Sequence, residues 1–130
     1  MKFHFYKYHG LGNDYLVIDP NENEIPLKKE VIMKICDRNY GIGSDGILYG
    51  PIKEGSDLKL RIFNPDGSEA EKSGNGLRIF SKYLFEKKYV DSKKFNIFTL
   101  GGKVQVEIMD NEAEKILIHM GKITFQSKLI

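Results

Sequence analysis

Residues 61–88 read R-I-F-N-P-D-G-S-E-A-E-K-S-G-N-G-L-R-I-F-S-K-Y-L-F-E-K-K. Just upstream, Leu58, Leu60 and Ile62 alternate with Lys59, Arg61 and Phe63, which is the period of a strand. Asn64-Pro65-Asp66-Gly67-Ser68 is a strong turn signal. From about Asn75 to Lys88 the apolar residues Leu77, Phe80 and Leu84 share one helical face. Between turn and helix stands Ser73-Gly74-Asn75-Gly76. Free backbone N–H groups collect at a helix start, and the helix dipole adds roughly half a positive charge there. Glycines let a ligand approach the backbone closely. Such a place suits a carboxylate or a developing anion. Asn64 and Asn75 add amide donors and acceptors that would orient a polar ligand. A simple cap by Ser73 or Asn75 would account for one polar residue. It would not account for two glycines, two asparagines and an acidic turn together, so a ligand site is expected here.

Upstream, Lys2 to Tyr8 alternates Phe3 and Phe5 with Lys2 and His4 and predicts a strand. His9-Gly10-Leu11-Gly12-Asn13-Asp14 predicts a turn, and Tyr15 to Asp19 a short strand closed by Pro20-Asn21. A helix is expected from Pro26 to about Arg38, with Val31, Ile32, Ile35 and Cys36 on its apolar face. Gly41 to Gly46 is a tight turn, followed by a strand at Ile47–Tyr49 that ends at Gly50-Pro51. Downstream, strands are expected at Phe95–Leu100, Lys103–Met109 and Lys115–Met120. Gly101-Gly102 would join the first pair as a two-residue loop, and Asp110 to Glu114 would turn the second. Val104, Val106 and Ile108 face Ile116, Ile118 and Met120 as two apolar rows. The sum is an α+β fold: a curled, mostly antiparallel sheet packed around the second helix. The 130 residues are expected to form a single domain whose strand-rich tail stops, at Phe125 to Ile130, where something else would begin.

Hydrophobic residues make up 41% and charged residues 29% of the chain, enough apolar material for one core. Lys and Arg number 20 against 18 Asp and Glu, with no basic run interleaved with aromatics, so no nucleic-acid partner is expected. No apolar run approaches the ~20 residues that cross a bilayer, and the N-terminus lacks a signal-peptide pattern, so no membrane association is expected. The single cysteine, Cys36, rules out a disulfide within the chain and suits a reducing cytoplasm. Its place on an apolar helix face favours packing over reactivity. No Cys/His cluster suggests a metal site. Gly41 to Gly46 matches G-x-G-x-x-G, but it follows a helix and leads into a strand, the reverse of a dinucleotide site. It reads instead as a helix C-cap with glycines at positive φ, braced by Asp45. His9 reads as a structural histidine, and His4 and His119 lie on expected strands.

H-G-L-G-N-D at 9–14, C-D-R-N-Y-G-I-G-S-D-G at 36–46, R-I-F-N-P-D-G-S-E at 61–69 and S-G-N-G-L-R at 73–78 together resemble the diaminopimelate epimerase family. The resemblance covers essentially the whole chain. It implies one half of a two-domain fold, each half wrapping strands around a central helix, with the active site in the cleft. It implies stereoinversion at the α-carbon of an amino-acid substrate, with neither pyridoxal phosphate nor metal. Two cysteines, one from each domain, would act on opposite faces of that carbon. By position, Asn13 and Asn64 would bind substrate, and Gly74 and Asn75 would hold it through backbone and side chain. Position 73 would be the first catalytic position. There the family has cysteine and this chain has Ser73. A thiol, with a pKa near 8.5, can supply a thiolate base; a serine hydroxyl cannot near neutral pH. The isolated chain is therefore expected to be inactive, and to need a second epimerase-like domain or a second copy of itself. Two alternatives stand beside that reading: an amino-acid-binding module without catalysis, and a related one-base isomerase or dehydratase.

Overall fold

A computed structural model describes residues 3–10, 12–71, 73–120 and 123–126. In chain order the elements are β1 (Tyr6–Gly10), β2 (Asn13–Ile18), α1 (Lys29–Cys36), β3 (Ile47–Glu54), β4 (Asp57–Phe63), β5 (Glu69–Ala70), α2 (Gly74–Glu86), β6 (Lys94–Thr99), β7 (Gly102–Ile108), β8 (Ile116–Met120) and β9 (Ile123–Gln126). The strands among the described residues form one sheet in the order β1-β2-β3-β4-β6-β7-β8-β9, with β5 paired to β4. Pairing is antiparallel except for β2 with β3 and β4 with β6. The fold is thus the expected α+β class, and its sheet is mixed.

Strand alternation decides where the two helices lie. Val17, Leu48, Leu60 and Ile62 turn to one face and join Leu77, Phe80, Tyr83 and Leu84 of α2 in the larger core. Ile97, Val104, Val106, Ile116 and Ile118 close that core from the other side. Leu16, Ile18, Ile47 and Phe63 turn to the opposite face and pack on Ile32, Ile35 and Cys36 of α1. The centre of the sheet is therefore buried on both faces. Phe80, Tyr83, Leu77 and Leu84 are fully buried, and truncating a side chain of this kind to alanine costs about 2–5 kcal/mol.

Several boundaries differ from the sequence expectation. The first strand lies later than Lys2–Tyr8, because Gly10 pairs with Asn13 across a tight connection and extends the ladder through His9. His4 lies outside the strand: its backbone N–H donates to Asn23 Oδ1 at 2.6 Å and its carbonyl accepts from Asn23 Nδ2 at 2.8 Å. A side-chain amide there takes the place of a strand partner. β3 does not stop at Gly50-Pro51 but runs on to Glu54 through a cis Gly50-Pro51 peptide bond, with a register shift between Tyr49 and Ile52. A bulge is where a strand tolerates proline, which has no N–H to give. Gly50 also leaves room for α2: a Cβ there would stand 2.9 Å from Phe80 Cζ. In the next hairpin Thr99 pairs with Gly102, so the two-residue loop is Leu100-Gly101, one residue earlier than expected. The pairs Val106–Ile118 and Ile108–Ile116 confirm the facing apolar rows.

Candidate active site

The starts of β2 and β3 and the end of β4 lie side by side, since Leu16 pairs with Ile47 and Ile47 with Phe63. α2 begins over this end of the sheet. Ser73 caps it: the residue is extended (φ −149°, ψ 114°) and its Oγ accepts the Gly76 N–H at 3.0 Å. Gly74 and Asn75 form the first turn, where backbone N–H groups have no intrahelical acceptor.

Asn75 is buried and donates through Nδ2 to Asn13 Oδ1 at 2.6 Å and to the Gly10 carbonyl at 3.4 Å. Asn13 donates in turn to Asp45 Oδ2 at 3.2 Å. The direction of this chain follows from elementary chemistry. A carboxylate only accepts, so Asp45 must face the NH2 of Asn13. The Asn13 oxygen is then left for Asn75, which must offer its own NH2. Asn75 Oδ1 is thereby left buried with no hydrogen-bond partner among the described residues. An orphaned buried acceptor of this kind is costly, and a polar ligand group could supply its missing donor.

Asp45 also accepts the Asp14 backbone N–H at 2.9 Å, so its side chain ties the Gly41–Gly46 turn to the start of β2 and does not brace that turn from within. Arg38 bridges Asp14 at 2.8 Å and Asp45 at 2.9 Å, and Lys7 lies 3.5 Å from Asp14. The Arg38 hydrogen bond holds the Asp14 carboxyl well below the usual carboxylate range. His9, Asn13, Asp14, Arg38 and Asp45 line an open groove of about 630 Å³ beside the helix start. His9 is exposed on this groove, not a satisfied structural histidine, because the alternation of β1 turns it outward.

Within Gly41 to Gly46 only Gly43 has a positive φ, at 83°. Gly41 and Gly46 are required for space. A Cβ at Gly41 would run into the Lys34 carbonyl, and one at Gly46 would stand 2.8 Å from the Phe63 carbonyl oxygen and 3.0 Å from Tyr15 Cε1. Asn64 follows β4 at the same end of the sheet, but its amide donates to Ser68 Oγ at 3.0 Å within its own turn. It is not bonded to the Asn13–Asn75 pair. Cys36 is buried in the core beneath α1, where burial pushes its thiol up. No cluster of three or more His, Cys, Asp or Glu able to hold a metal occurs among the described residues, and no described helix is long and apolar enough to cross a membrane. Tyr15, Asp14 and Arg38 belong to the site and were not singled out from the sequence. Tyr15 reads there as one more apolar strand residue, and its hydroxyl lies 3.3 Å from Ser73 Oγ, 58 residues away.

Comparison with known proteins bears on the family and the fold. A profile of the diaminopimelate epimerase family matches residues 5–126. The chain is 58% identical over 125 residues to diaminopimelate epimerase 2 of Nostoc sp., covering 95% of this chain and 44% of that protein. It is 42% identical over 128 residues to the diaminopimelate epimerase of Caldanaerobacter subterraneus, covering 97% and 46%. The chain thus spans a little under half the length of these relatives. Among solved structures, a probable proline racemase from Agrobacterium radiobacter K84 superposes with a TM-score of 0.70 at 17% identity, over 88% of this chain and 40% of that one. A phenazine biosynthesis protein of the PhzF family from Enterococcus faecalis gives 0.64 at 21% identity, over 88% and 42%. These likenesses show a shared fold. With the family profile spanning nearly all of its residues, the chain belongs to the diaminopimelate epimerase family.

Proposed function

We propose that this chain is the N-terminal half of a cofactor-independent amino-acid epimerase, acting in the cytoplasm on diaminopimelate and interconverting its LL and meso forms for lysine and cell-wall precursor synthesis. The observation that carries this reading is the convergence of Ser73, Asn75 and Asn13 on the first turn of α2, with Asn75 Nδ2 and Asn13 Oδ1 at 2.6 Å. In this reading the N–H groups of Gly74 and Asn75, aided by the helix dipole, receive the substrate α-carboxylate. Asn13 and Asn75 orient the reacting end, and Asn64 reaches the substrate from the neighbouring strand end. Ser73 stands at one face of the α-carbon. A second domain covers the opposite face and brings the second acid–base residue. No pyridoxal phosphate and no metal take part.

Ser73 sets the expected activity. A base that removes an α-hydrogen must be substantially ionised near neutral pH, and a serine hydroxyl is not. The chain joined to a C-terminal half is therefore expected not to epimerise, and a Ser73→Cys version is expected to do so. The test is deuterium incorporation at the α-carbon of diaminopimelate in D2O, read by mass spectrometry. Exchange with S73C and none with the parent supports the reading. No exchange with S73C overturns it.

A further inference from the structure

Tyr15 lies on β2, two residues beyond Asn13, and its hydroxyl is 3.3 Å from Ser73 Oγ. The same Oγ accepts the Gly76 N–H at 3.0 Å. Glycines pack against both partners of this contact. At Gly46 a Cβ would press on the Tyr15 ring at 3.0 Å, and at Gly76 a Cβ would stand 3.1 Å from Ser73 Oγ. A helix cap is complete with the Gly76 N–H alone; the tyrosine hydroxyl is additional. We propose that Tyr15 is a positioning residue, whose hydroxyl joins the Gly76 N–H in a two-donor cradle that fixes the atom at the tip of residue 73 and favours a negative charge there when that atom can ionise. This rests on the reading of position 73 as the family's first catalytic position.

The physical basis is direct. Hydrogen bonds donated to an ionised group favour that form, and they are stronger than those to a neutral one. The N-terminus of α2 adds a field of the same sign. With serine the cradle fixes a hydroxyl; with cysteine it favours the thiolate. The charges of the adjoining groove belong to one paired set: Asp14 and Asp45 share Arg38, and Lys7 lies against Asp14. Two carboxylates thus face two cations and contribute little net field.

The experiment uses the 130-residue chain carrying Ser73→Cys, with and without Tyr15→Phe. Alkylation by iodoacetamide is followed against pH on the peptide bearing residue 73. Buried Cys36, mapped in the same digest, reports that the fold is intact. The S73C thiol is expected to react with a midpoint below the ~8.5 of a free cysteine. Adding Y15F is expected to raise that midpoint by about one unit, which is a tenfold smaller thiolate-to-thiol ratio at a fixed pH. Superimposable profiles overturn the proposal. If Y15F exposes Cys36, the S73C chain labelled with 13C at the tyrosine Cζ decides without touching Tyr15. Its Tyr15 resonance is expected to shift as the thiol ionises, and a resonance that stays flat overturns the proposal. Neither measurement uses substrate or a second domain. A Tyr15-dependent thiol without α-hydrogen exchange would keep this inference and sink the epimerase reading, and the converse result would do the reverse.

Discussion

The interactions of Asp45 differ in worth, and the difference can be measured. Its ion pair with Arg38 joins side chains that are 36% and 55% exposed, and such pairs contribute about 0–1 kcal/mol. Its bonds from the Asp14 N–H and the Asn13 amide are partly buried, and donors left unpaired there cost about 1–3 kcal/mol. Asp45→Ala is therefore expected to lower stability by roughly 1–3 kcal/mol, read as a fall in the urea midpoint. It is also expected to move the side-chain amide signals of Asn13 and Asn75 in a 15N spectrum, because the Asn13 NH2 then loses its acceptor. An unchanged midpoint with unmoved amides would mean that Asp45 does not orient the pair.

At the scale of elements, α2 carries both the site and a correctable flaw. Its C-terminal end is closed by Lys87 N–H to the Tyr83 carbonyl, Lys88 N–H to Phe85 and Tyr89 N–H to Leu84. This ending places Lys88 at φ 61°, a left-handed conformation that usually calls for glycine. The strain on a residue with a Cβ is about 1–2 kcal/mol, offset in part by the larger unfolded-state entropy of glycine. Lys88→Gly is expected to raise stability by about 0.5–1 kcal/mol, seen as a Tm increase of a few degrees. A lower Tm would show that Lys88 makes a contact worth more than its strain. Lys88 lies at the end of α2 away from Ser73, so ligand binding should not change.

Across the whole molecule, α2 is tied down at both ends. Its N-terminus meets Asn13 at the start of β2, and Tyr83 near its C-terminus meets Asp19 just beyond the end of β2. Asp19 is fully buried and accepts from the Tyr83 hydroxyl at 2.6 Å, the Tyr89 hydroxyl at 2.5 Å, and the backbone and side chain of Asn21, both at 2.8 Å. Burial, and then the neighbouring carboxylate, push both phenols above their ordinary value near 10. A raised folded-state pKa contributes stability that is complete below the unfolded value and is lost as pH climbs beyond it. Urea unfolding is expected to show stability falling as pH rises past about 10. Tyr83→Phe is expected to flatten that fall while lowering stability at neutral pH by about 1–3 kcal/mol, since Asp19 loses a donor. A variant that falls as steeply as the parent would remove Tyr83 from the account.

The sequence by itself determined the local pieces: the strand before Asn64, the turn at Pro65 to Gly67, the apolar face of α2 and the glycines at its start. These follow from periodicity and turn chemistry, which act over a few residues. Segment order and residue identity also placed the chain in its family and showed serine at position 73. The tertiary structure decided what those pieces meet. The parallel pairing of β2 with β3 brings Asp45 to Asn13, 32 residues away, and the seating of α2 over the sheet brings Ser73 to Tyr15. Asn64 shows the same division. Its turn was legible in Asn-Pro-Asp-Gly, while only the folded turn shows that its amide donates to Ser68. Contacts between distant residues depend on how the sheet closes around a helix. That closure is settled by the packing of the whole core, which no local pattern encodes.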